Sequence, residues 1–478
     1  MDAGLPGRSG SVRTSFEYHR KLHTFMKKLL LAIPLVAGGS WAGASYYSGT
    51  QTQSAYEDLL VQVNELNPFT LENESYTSGL TESLAITQVK ESAAADAKVL
   101  FRLQHVINHS PISLDDGGVR VGAASVTSTL VEDGSLPDSV KEFMAGFAEG
   151  EPLVVVTDVG FDGNTDTHFH VSPYGAEKDG VELNFGGIDY SLNVSDDGDV
   201  VVGSGELGAF EVSGVEADLM LTPGKIITDM TRAAKGIYSG TNGIDFDTFT
   251  ISSDTNAVIN TTLKSLSLHS VTDVDEDQLS GKTVMSIGQV DNPMVPVNAA
   301  SVETTMSNLS IEGIQGYIDT ISEMAIEELV LAEDPAVIKR ILQAYLPIIG
   351  PGTGVGFNLN LSNDGGDANL SYDLAVLDET APAYPAQGLK SLVTLRDLLN
   401  VLAFEVHFNA DAEAIDQTPL AMFMMSPQAQ QVIVADGVTY KGDVSLNELV
   451  LDINGNPLAI EMMLGEKLDV PLTEMFSL

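Results

Sequence analysis

The feature that most constrains this chain is an uncharged, strongly apolar run at residues 29–47, directly preceded by Lys27 and Lys28. A helix needs about 20 apolar residues to cross a hydrocarbon core of about 30 Å, so the run has the length of a membrane span. Basic residues flanking a span favour the cytoplasmic side. The pattern therefore predicts a cytoplasmic N-terminus and export of everything that follows.

Aromatic residues near the far end of the run fit the same interpretation. Trp41, Tyr46 and Tyr47 stand where amphipathic rings suit the membrane–water interface. A cleaved signal peptide is the alternative, because Lys27 and Lys28 also resemble a charged leader and the small residues before Ser45 permit cleavage after Ala44. Both interpretations place the body outside the cytoplasm, and the uncleaved anchor is the one favoured here.

Net charge limits the partners of the exported body. The chain has 23 basic and 67 acidic residues, a net charge of −44. Six basic and two acidic residues fall in the first fifty positions, so the remainder carries 17 against 65, a net of −48. Such a surface repels phosphate backbones, which excludes nucleic acid as a partner. The chain has no cysteine, so apolar burial has to stabilise the exported fold.

Periodicity predicts an α+β body made mostly of antiparallel strands. Alternating apolar residues recur from about residue 75, separated by Gly, Asp and Asn turn signals. Helical spacing is predicted from Ser135, at 223–236, over 314–346 with a new start at Pro335, and at 391–400. A hairpin is predicted around the turn at residues 363–367, and alternation at Phe404, Val406 and Phe408 predicts a strand.

These signals divide the chain into four predicted segments. They are a cytoplasmic tail or upstream extension at 1–25, the membrane anchor or signal segment at 26–49, a β-rich periplasmic region at 50–312, and a helix-then-β periplasmic region at 313–478. The expected fold is an N-terminal transmembrane helix followed by an elongated, β-rich body with inserted helices.

One pattern suggests a metal site. His168 and His170 alternate on a predicted strand, so they share one face, and the preceding Asp162 and Asp166 could add oxygen ligands. The loop beginning at Asp162 lacks the glycine and glutamate of a calcium loop. The simpler interpretation, a hairpin turn followed by two histidines on a solvent face, is favoured.

Other patterns give no support to an enzyme. The glycine-rich residues 350–356 lie between a predicted helix and a predicted strand, the reverse of the order in phosphate-binding loops. His105 and His109 are four residues apart, but they belong to a predicted strand that ends at Ser110 and Pro111, so they are not expected to meet as they would on a helix. The sequence contains no nucleophile elbow and no thiol. We therefore expect a non-enzymatic protein without a cofactor.

Four motifs in order resemble those of the family of bacterial proteins of unknown function known as DUF945, or YdgA-like. They are the Lys-Lys start with a membrane segment ending in Tyr46-Tyr47-Ser48-Gly49, the segment 76–83, the segment 105–111, and residues 451–458 near the C-terminus. The chain departs from the family pattern at Ser78, where a basic residue is common, and at Ser110, where glycine is usual. The resemblance implies an inner-membrane-anchored periplasmic protein of a Gram-negative bacterium, and it brings no reaction or catalytic residues.

Two hypotheses follow for function. The first is a single-pass inner-membrane protein whose periplasmic β-rich body binds a lipid or an envelope protein; a lipid carrier would show one continuously apolar, open face on consecutive strands. The second is a metal-dependent periplasmic enzyme that uses His168 and His170.

Overall fold

The computed structural model describes the body of the chain in two compact units. The described residues are Tyr56, Glu57, Leu60, Asn64, 70–79, 81–90, 99–110, 112–115, 118–131, 144–147, 151–178, 180–214, 217–234, 236–292, 297–322, 335–386, 388–416, 418, 420–424, 426 and 429–471. Unit 1 lies within 1–133 and 153–169, and unit 2 within 134–152 and 170–478. The predicted anchor at 26–49, the tail at 1–25 and most of the helix predicted from Ser135 lie outside these residues.

Unit 1 is an antiparallel sheet with a small separate hairpin. Its strands are β1 (Thr70–Thr77), β2 (Glu82–Lys90), β3 (Val99–Asn108), β4 (Ile112–Asp115), β5 (Gly118–Val121), β6 (Ala124–Leu130), β7 (Leu153–Val159) and the first part of β8 (Thr165–Val171). Adjacent pairing runs β1–β2–β3–β6–β7, while β4 and β5 pair with each other.

Burial alternates along the central strands of unit 1, as expected where one face of a sheet is covered. On β7, Leu153, Val155, Thr157 and Val159 are buried while the residues that alternate with them are partly exposed. Leu103 and Ile107 follow the same rule on β3. Apolar burial on this face therefore supplies the hydrophobic stabilisation of the unit.

A chain of polar side chains crosses this buried face. Tyr56, which is helical, is hydrogen-bonded through its hydroxyl to Thr87 on β2. The Thr87 Oγ1 lies 2.8 Å from His105 Nε2, and His105 Nδ1 lies 2.7 Å from the Ser128 Oγ on β6. Burial lowers the pKa of His105 to about 4 and raises the pKa of Tyr56 to about 12. Both groups are therefore neutral at pH 7, and each ring nitrogen of His105 has a hydroxyl partner.

The buried His105 predicts acid lability. In the unfolded chain its pKa is near the ordinary 6.5, so between pH 6.5 and 4 the unfolded state binds a proton that the folded state excludes. The free energy of unfolding should then fall as the pH drops through that interval, by up to about 3 kcal/mol. In His105→Gln the unfolding free energy, measured by urea denaturation at pH 7 and pH 4.5, should fall less between the two values than in wild type.

His407 provides the control. A hydrogen bond that the His407 ring donates to the Asp443 carboxylate raises the pKa of His407, the opposite direction to His105. His407→Gln should therefore retain the acid-induced loss of stability. An equal pH dependence in wild type and His105→Gln would contradict the assignment.

Unit 2 is a long series of antiparallel strands. They are β9 (Tyr174–Lys178), β10 (Val181–Phe185), β11 (Ile188–Val194), β12 (Val200–Leu207), β13 (Phe210–Ser213), β14 (Asp218–Leu221), β15 (Gly224–Ala234), β16 (Ile237–Ser252), β17 (Thr261–Asp275), β18 (Gln278–Asp291), β19 (Ala299–Ser310), β20 (Gly354–Asn363), β21 (Gly366–Val376), β22 (Leu402–Asp411), β23 (Val434–Asp436), β24 (Thr439–Asn447), β25 (Val450–Ile453) and β26 (Asn456–Ala459). The main order is β11–β12–β15–β16–β17–β18–β19–β20–β21–β22–β24–β25–β26.

Helices are short and fall mainly in the second half of this unit. They are α1 (Ile311–Ser322), α2 (Pro335–Tyr345), α3 (Leu395–Val401), α4 (Ala412–Asp416), α5 (Leu420–Met424), α6 (Ala429–Val432) and α7 (Ile460–Leu464), with 3-10 turns at Ala257–Ile259, Leu346–Ile348, Leu389–Ser391 and Gly465–Asp469. Helix α3 begins with a capping box, in which the Thr394 hydroxyl accepts from the Asp397 amide and the Asp397 carboxylate accepts from the Thr394 amide.

The predicted hairpin at 363–367 is confirmed. Asn363 on β20 pairs with Gly366 on β21, and the Asn363 Oδ1 accepts a hydrogen bond from the Gly365 amide. Gly366 has a φ of +126°, a value that suits glycine. The strand predicted around Val406 and the helices predicted at 314–322 and from Pro335 are also confirmed.

The helix predicted at 223–236 is wrong, because β15 occupies these residues. Ile226 and Met230 are four apart, a spacing that places them on one face of a helix and equally on one face of a strand. Pairing with β12 on one side and β16 on the other satisfies the backbone of β15, and this tertiary arrangement decides the outcome.

The prediction of a β-rich, mostly antiparallel body is confirmed. Within the described residues, the helices are all too short or too polar to cross a membrane.

Candidate functional site

The most distinctive surface of unit 2 is one face of the sheet from β15 to β22. Residues that pair directly across antiparallel strands point to the same face, so the register defines continuous rows of side chains. One row is aliphatic or aromatic on all eight strands. It consists of Ile226, Ile244, Leu268, Met285, Val302, Leu359, Leu370 and Phe408.

Three parallel rows complete what we call the apolar face. The first contains Gly224, Phe246, Leu266, Ile287, Ala300, Leu361, Ala368 and Ala410. The second contains Thr228, Asn242, Ser270, Thr283, Thr304, Phe357, Tyr372 and Val406. The third contains Met230, Gly240, Thr272, Gly281, Met306, Val355, Leu374 and Phe404. Four positions on each of eight strands thus carry no charged side chain.

The opposite face of the same strands carries their charged side chains and is mainly polar, with a few apolar residues such as Val271. Asp245 and His269 are hydrogen-bonded at 2.8 Å, and Lys282 forms an ion pair with Glu303 at 2.8 Å. Asn369 donates from its Nδ2 to the Asn358 Oδ1 at 2.6 Å. The contrast is typical of a sheet with one hydrated face and one face that is meant to be covered.

Within the structure as described, the apolar face is open. Leu268 is 44% exposed, Met285 48% and Met306 50%, values far above those of core residues. Among the members of the four rows on strands β15 to β21, Gly224 alone is buried. Large apolar side chains that remain in contact with water over many strands are unusual in a soluble protein and mark a binding surface.

Strand geometry gives the size of the surface. Eight strands at about 4.8 Å spacing extend across about 34 Å, and four rows extend about 20 Å along each strand. The open part, from β15 to β21, measures about 29 Å by 20 Å, or about 580 Å², at the upper end of the range for the largest apolar patch of a typical monomer. A single acyl chain fills about half of a 30 Å hydrocarbon core, so one row can accommodate two chains end to end.

Aromatic rings and glycines shape the face locally. Phe357 and Tyr372 stack with ring centroids 5.4 Å apart, so their rings form a continuous aromatic surface on β20 and β21. At Gly224, a Cβ would lie 2.3 Å from an atom of the Phe246 ring, so the ring covers the glycine backbone. The Phe246 ring thus keeps the surface apolar at Gly224, which has no side chain of its own.

Short helices cover the face at its β22 end. Ala410, which is fully buried, forms a core with Ile415 of α4 and Met424 of α5. Phe408 and Tyr440 pack against the same cluster. The face is therefore closed beside β22 and open from β15 to β21.

The residues of the predicted metal site lie on or before β8. Asp166, His168 and His170 are at exposed alternate positions, as the strand period requires. His170 Nδ1 lies 3.4 Å from Asp189 Oδ2, while Asp162 accepts hydrogen bonds from the amide and the side chain of Asn164. Across the part of the chain with described coordinates, no three His, Asp or Glu side chains are grouped to hold a metal ion. Metal binding here stays a prediction.

Two other motifs have structural roles. His109 is hydrogen-bonded to Ser83 at 2.8 Å, and His105 belongs to the separate buried chain with Thr87. The segment 350–356 follows a 3-10 turn and leads into β20, the order expected from the sequence. Thr353 is buried and donates to the Asn308 carbonyl at 2.8 Å, so this segment is a hydrogen-bonded corner.

Sequence reasoning did not identify the apolar face as a site. Alternation in single strands was visible, for example at Phe404, Val406 and Phe408, but the rows depend on the register of seven strand pairs. The residues of the predicted anchor lie outside the described residues; they are Lys27, Lys28, Trp41, Tyr46 and Tyr47.

Because the face is open, a charge placed on it should be tolerated by the fold. Leu268→Glu and Met285→Glu should change the free energy of unfolding by less than about 1 kcal/mol, since both side chains can stay hydrated. Ala410→Glu lies in the same rows under α4 and should lose more than about 3 kcal/mol, because its charge would be buried. Urea denaturation of the three variants measures the difference; similar losses in all three would contradict an open face.

Comparisons with known proteins agree with the motifs of the chain. Protein YdgA of Escherichia coli (strain K12) is 24% identical over 309 residues, an alignment that covers 56% of this chain and 60% of that protein. The alignment thus spans less than two thirds of the relative. No solved structure matches the chain. The family described as bacterial protein of unknown function (DUF945) matches residues 26–461, and the chain belongs to this family.

Proposed function

We propose that this chain is a non-enzymatic, membrane-anchored protein of the bacterial envelope whose apolar face binds the acyl chains of lipids. The observation that supports this function is the row from Ile226 to Phe408, which is apolar on eight consecutive strands and open to solvent from β15 to β21. Hiding each methylene of an acyl chain from water contributes about 0.8 kcal/mol, so a chain lying along the row would bind without any polar contact.

The composition of the face favours acyl chains over a protein partner. Protein interfaces combine an apolar centre with a polar rim, direct hydrogen bonds and enriched arginine. The face presents four rows without a charged residue, and its main row offers only hydrocarbon and one thioether, on Met285. An acyl chain has no hydrogen-bonding groups to satisfy, which matches such a surface.

The predicted anchor supports a location for the protein at the inner membrane. Residues 29–47, with Lys27 and Lys28 before them and Trp41, Tyr46 and Tyr47 near the end, form a single span of the inner membrane in this proposal. The acidic body then lies in the periplasm, where a lipid leaving the outer leaflet can reach it. The alternative of a metal-dependent enzyme using His168 and His170 has no comparable support in the geometry.

The proposal predicts that lipid copurifies with the protein in a face-dependent manner. The full chain would be released from membranes with a mild detergent and examined by native mass spectrometry. Wild type should retain lipid. Leu268→Glu should reduce bound lipid about tenfold, because covering the new carboxylate with hydrocarbon costs more than the 1.4 kcal/mol that corresponds to that factor.

Val271→Glu is the matched control. Val271 lies on the same strand as Leu268, is 48% exposed and belongs to the polar face. Its replacement adds the same charge to the same strand and should leave bound lipid unchanged. Equal lipid in both variants would refute the assignment of the face. A lipid-free wild-type dimer would mean that a second copy covers it.

A further inference from the structure

One row of the apolar face is not uniformly apolar. The second row lies between the aliphatic main row and the third row, which contributes methionine, glycine and threonine on β15 to β19. Over these strands the second row itself carries hydroxyl or amide side chains. These residues are Thr228, Asn242, Ser270, Thr283 and Thr304. From β20 to β22 the same row continues as Phe357, Tyr372 and Val406. The face therefore has an amphipathic half and a fully apolar half.

The polar positions in the amphipathic half can bind neutral oxygen atoms. The Ser270 and Thr283 hydroxyls are hydrogen-bonded to each other at 2.9 Å, which uses one of their two protons and leaves the other to donate. Thr283 pairs in turn with Thr304, which is exposed. Hydroxyl and amide donors suit ester carbonyls, whereas a phosphate carrying net charge is normally held by arginine or lysine.

The charges around the face also disfavour an anionic ligand. The four rows contain no cation, and the chain beyond its first fifty residues has a net charge of −48. An anionic headgroup placed against this face would find no opposite charge and would lie within the field of an acidic body. A zwitterionic headgroup, whose ammonium faces that field, or an uncharged one carries no such penalty.

From these observations we infer that the ligand is an ester lipid without net negative charge, zwitterionic or uncharged, whose ester region lies on the row Thr228–Thr304 while its acyl chains extend toward Phe357 and Tyr372. This assignment rests on the proposed function of the face and adds the class of lipid that it selects. The hydroxyl and amide side chains of the row supply hydrogen-bond donors for the ester carbonyls. Because the face has no cation, it discriminates against lipids with an anionic headgroup.

The test uses competition between lipids that differ only in the headgroup. Full-length protein would be exchanged with vesicles containing equal amounts of phosphatidylethanolamine, phosphatidylglycerol and diacylglycerol with identical acyl chains, and the bound lipid identified by native mass spectrometry. Phosphatidylethanolamine should exceed phosphatidylglycerol by roughly fivefold at 0.15 M salt. The ratio should fall at 1 M salt, where the Debye length is about 3 Å.

Two lysine variants locate the selectivity. Thr304→Lys places a cation in the row at an exposed position, and it should raise bound phosphatidylglycerol by roughly fivefold. Thr241→Lys adds the same charge on the polar face of β16, again at an exposed position, and should leave the ratio as in wild type.

Each result has a distinct meaning. No bound lipid in wild type would overturn the proposed function itself. Bound lipid in the proportions of the vesicle would leave that function standing and overturn the selectivity. An equal shift in Thr304→Lys and Thr241→Lys would place the selectivity in the total charge of the body and refute the role of the row.

Discussion

Antiparallel pairing is the constraint on which the rest of the structure depends. It makes directly opposed residues share a face, so the register of each strand pair determines whether apolar side chains collect in rows or scatter between the two faces. From β15 to β22 seven consecutive registers keep Ile226, Leu268 and Met285 in line with Phe408. A slip of one residue in any pair would interrupt the row and bring charged neighbours such as Asp245 or Glu303 onto the face.

Antiparallel pairing produces a buried sheet face in unit 1 and an open apolar face in unit 2. In unit 1 one face of the sheet is buried, and a chain of polar groups on it is matched internally, from Tyr56 through His105 to Ser128. In unit 2 the corresponding apolar face is left open over most of its width. Burial thus keeps Tyr56 and His105 of unit 1 neutral, whereas unit 2 has an apolar surface that remains in contact with water.

Particular residues show how far the sequence could be read. The turn at Asn363 and Gly366 was predictable because glycine with positive φ and an asparagine side-chain bond are local features. The helix starting at Pro335 was predictable for the same reason. The helix predicted at 223–236 was wrong because the spacing of Ile226 and Met230 fits both the helical and the strand period. Only the pairing of these residues with distant strands distinguishes a strand from a helix. The metal hypothesis rested on the strand period that places His168 and His170 on one face, with the preceding Asp162 and Asp166 as further ligands, and it stays a prediction.

The sequence by itself determined the acidity of the body, the apolar run at residues 29–47, the absence of disulfides and the predominance of strands, because these follow from composition and local periodicity. It also indicated the family, through short motifs in order. Only the tertiary structure decided which apolar residues stand together. Alternation records that each strand has two faces, but long-range hydrogen bonding sets the register, and the register joins single strands into one continuous, open, uncharged surface.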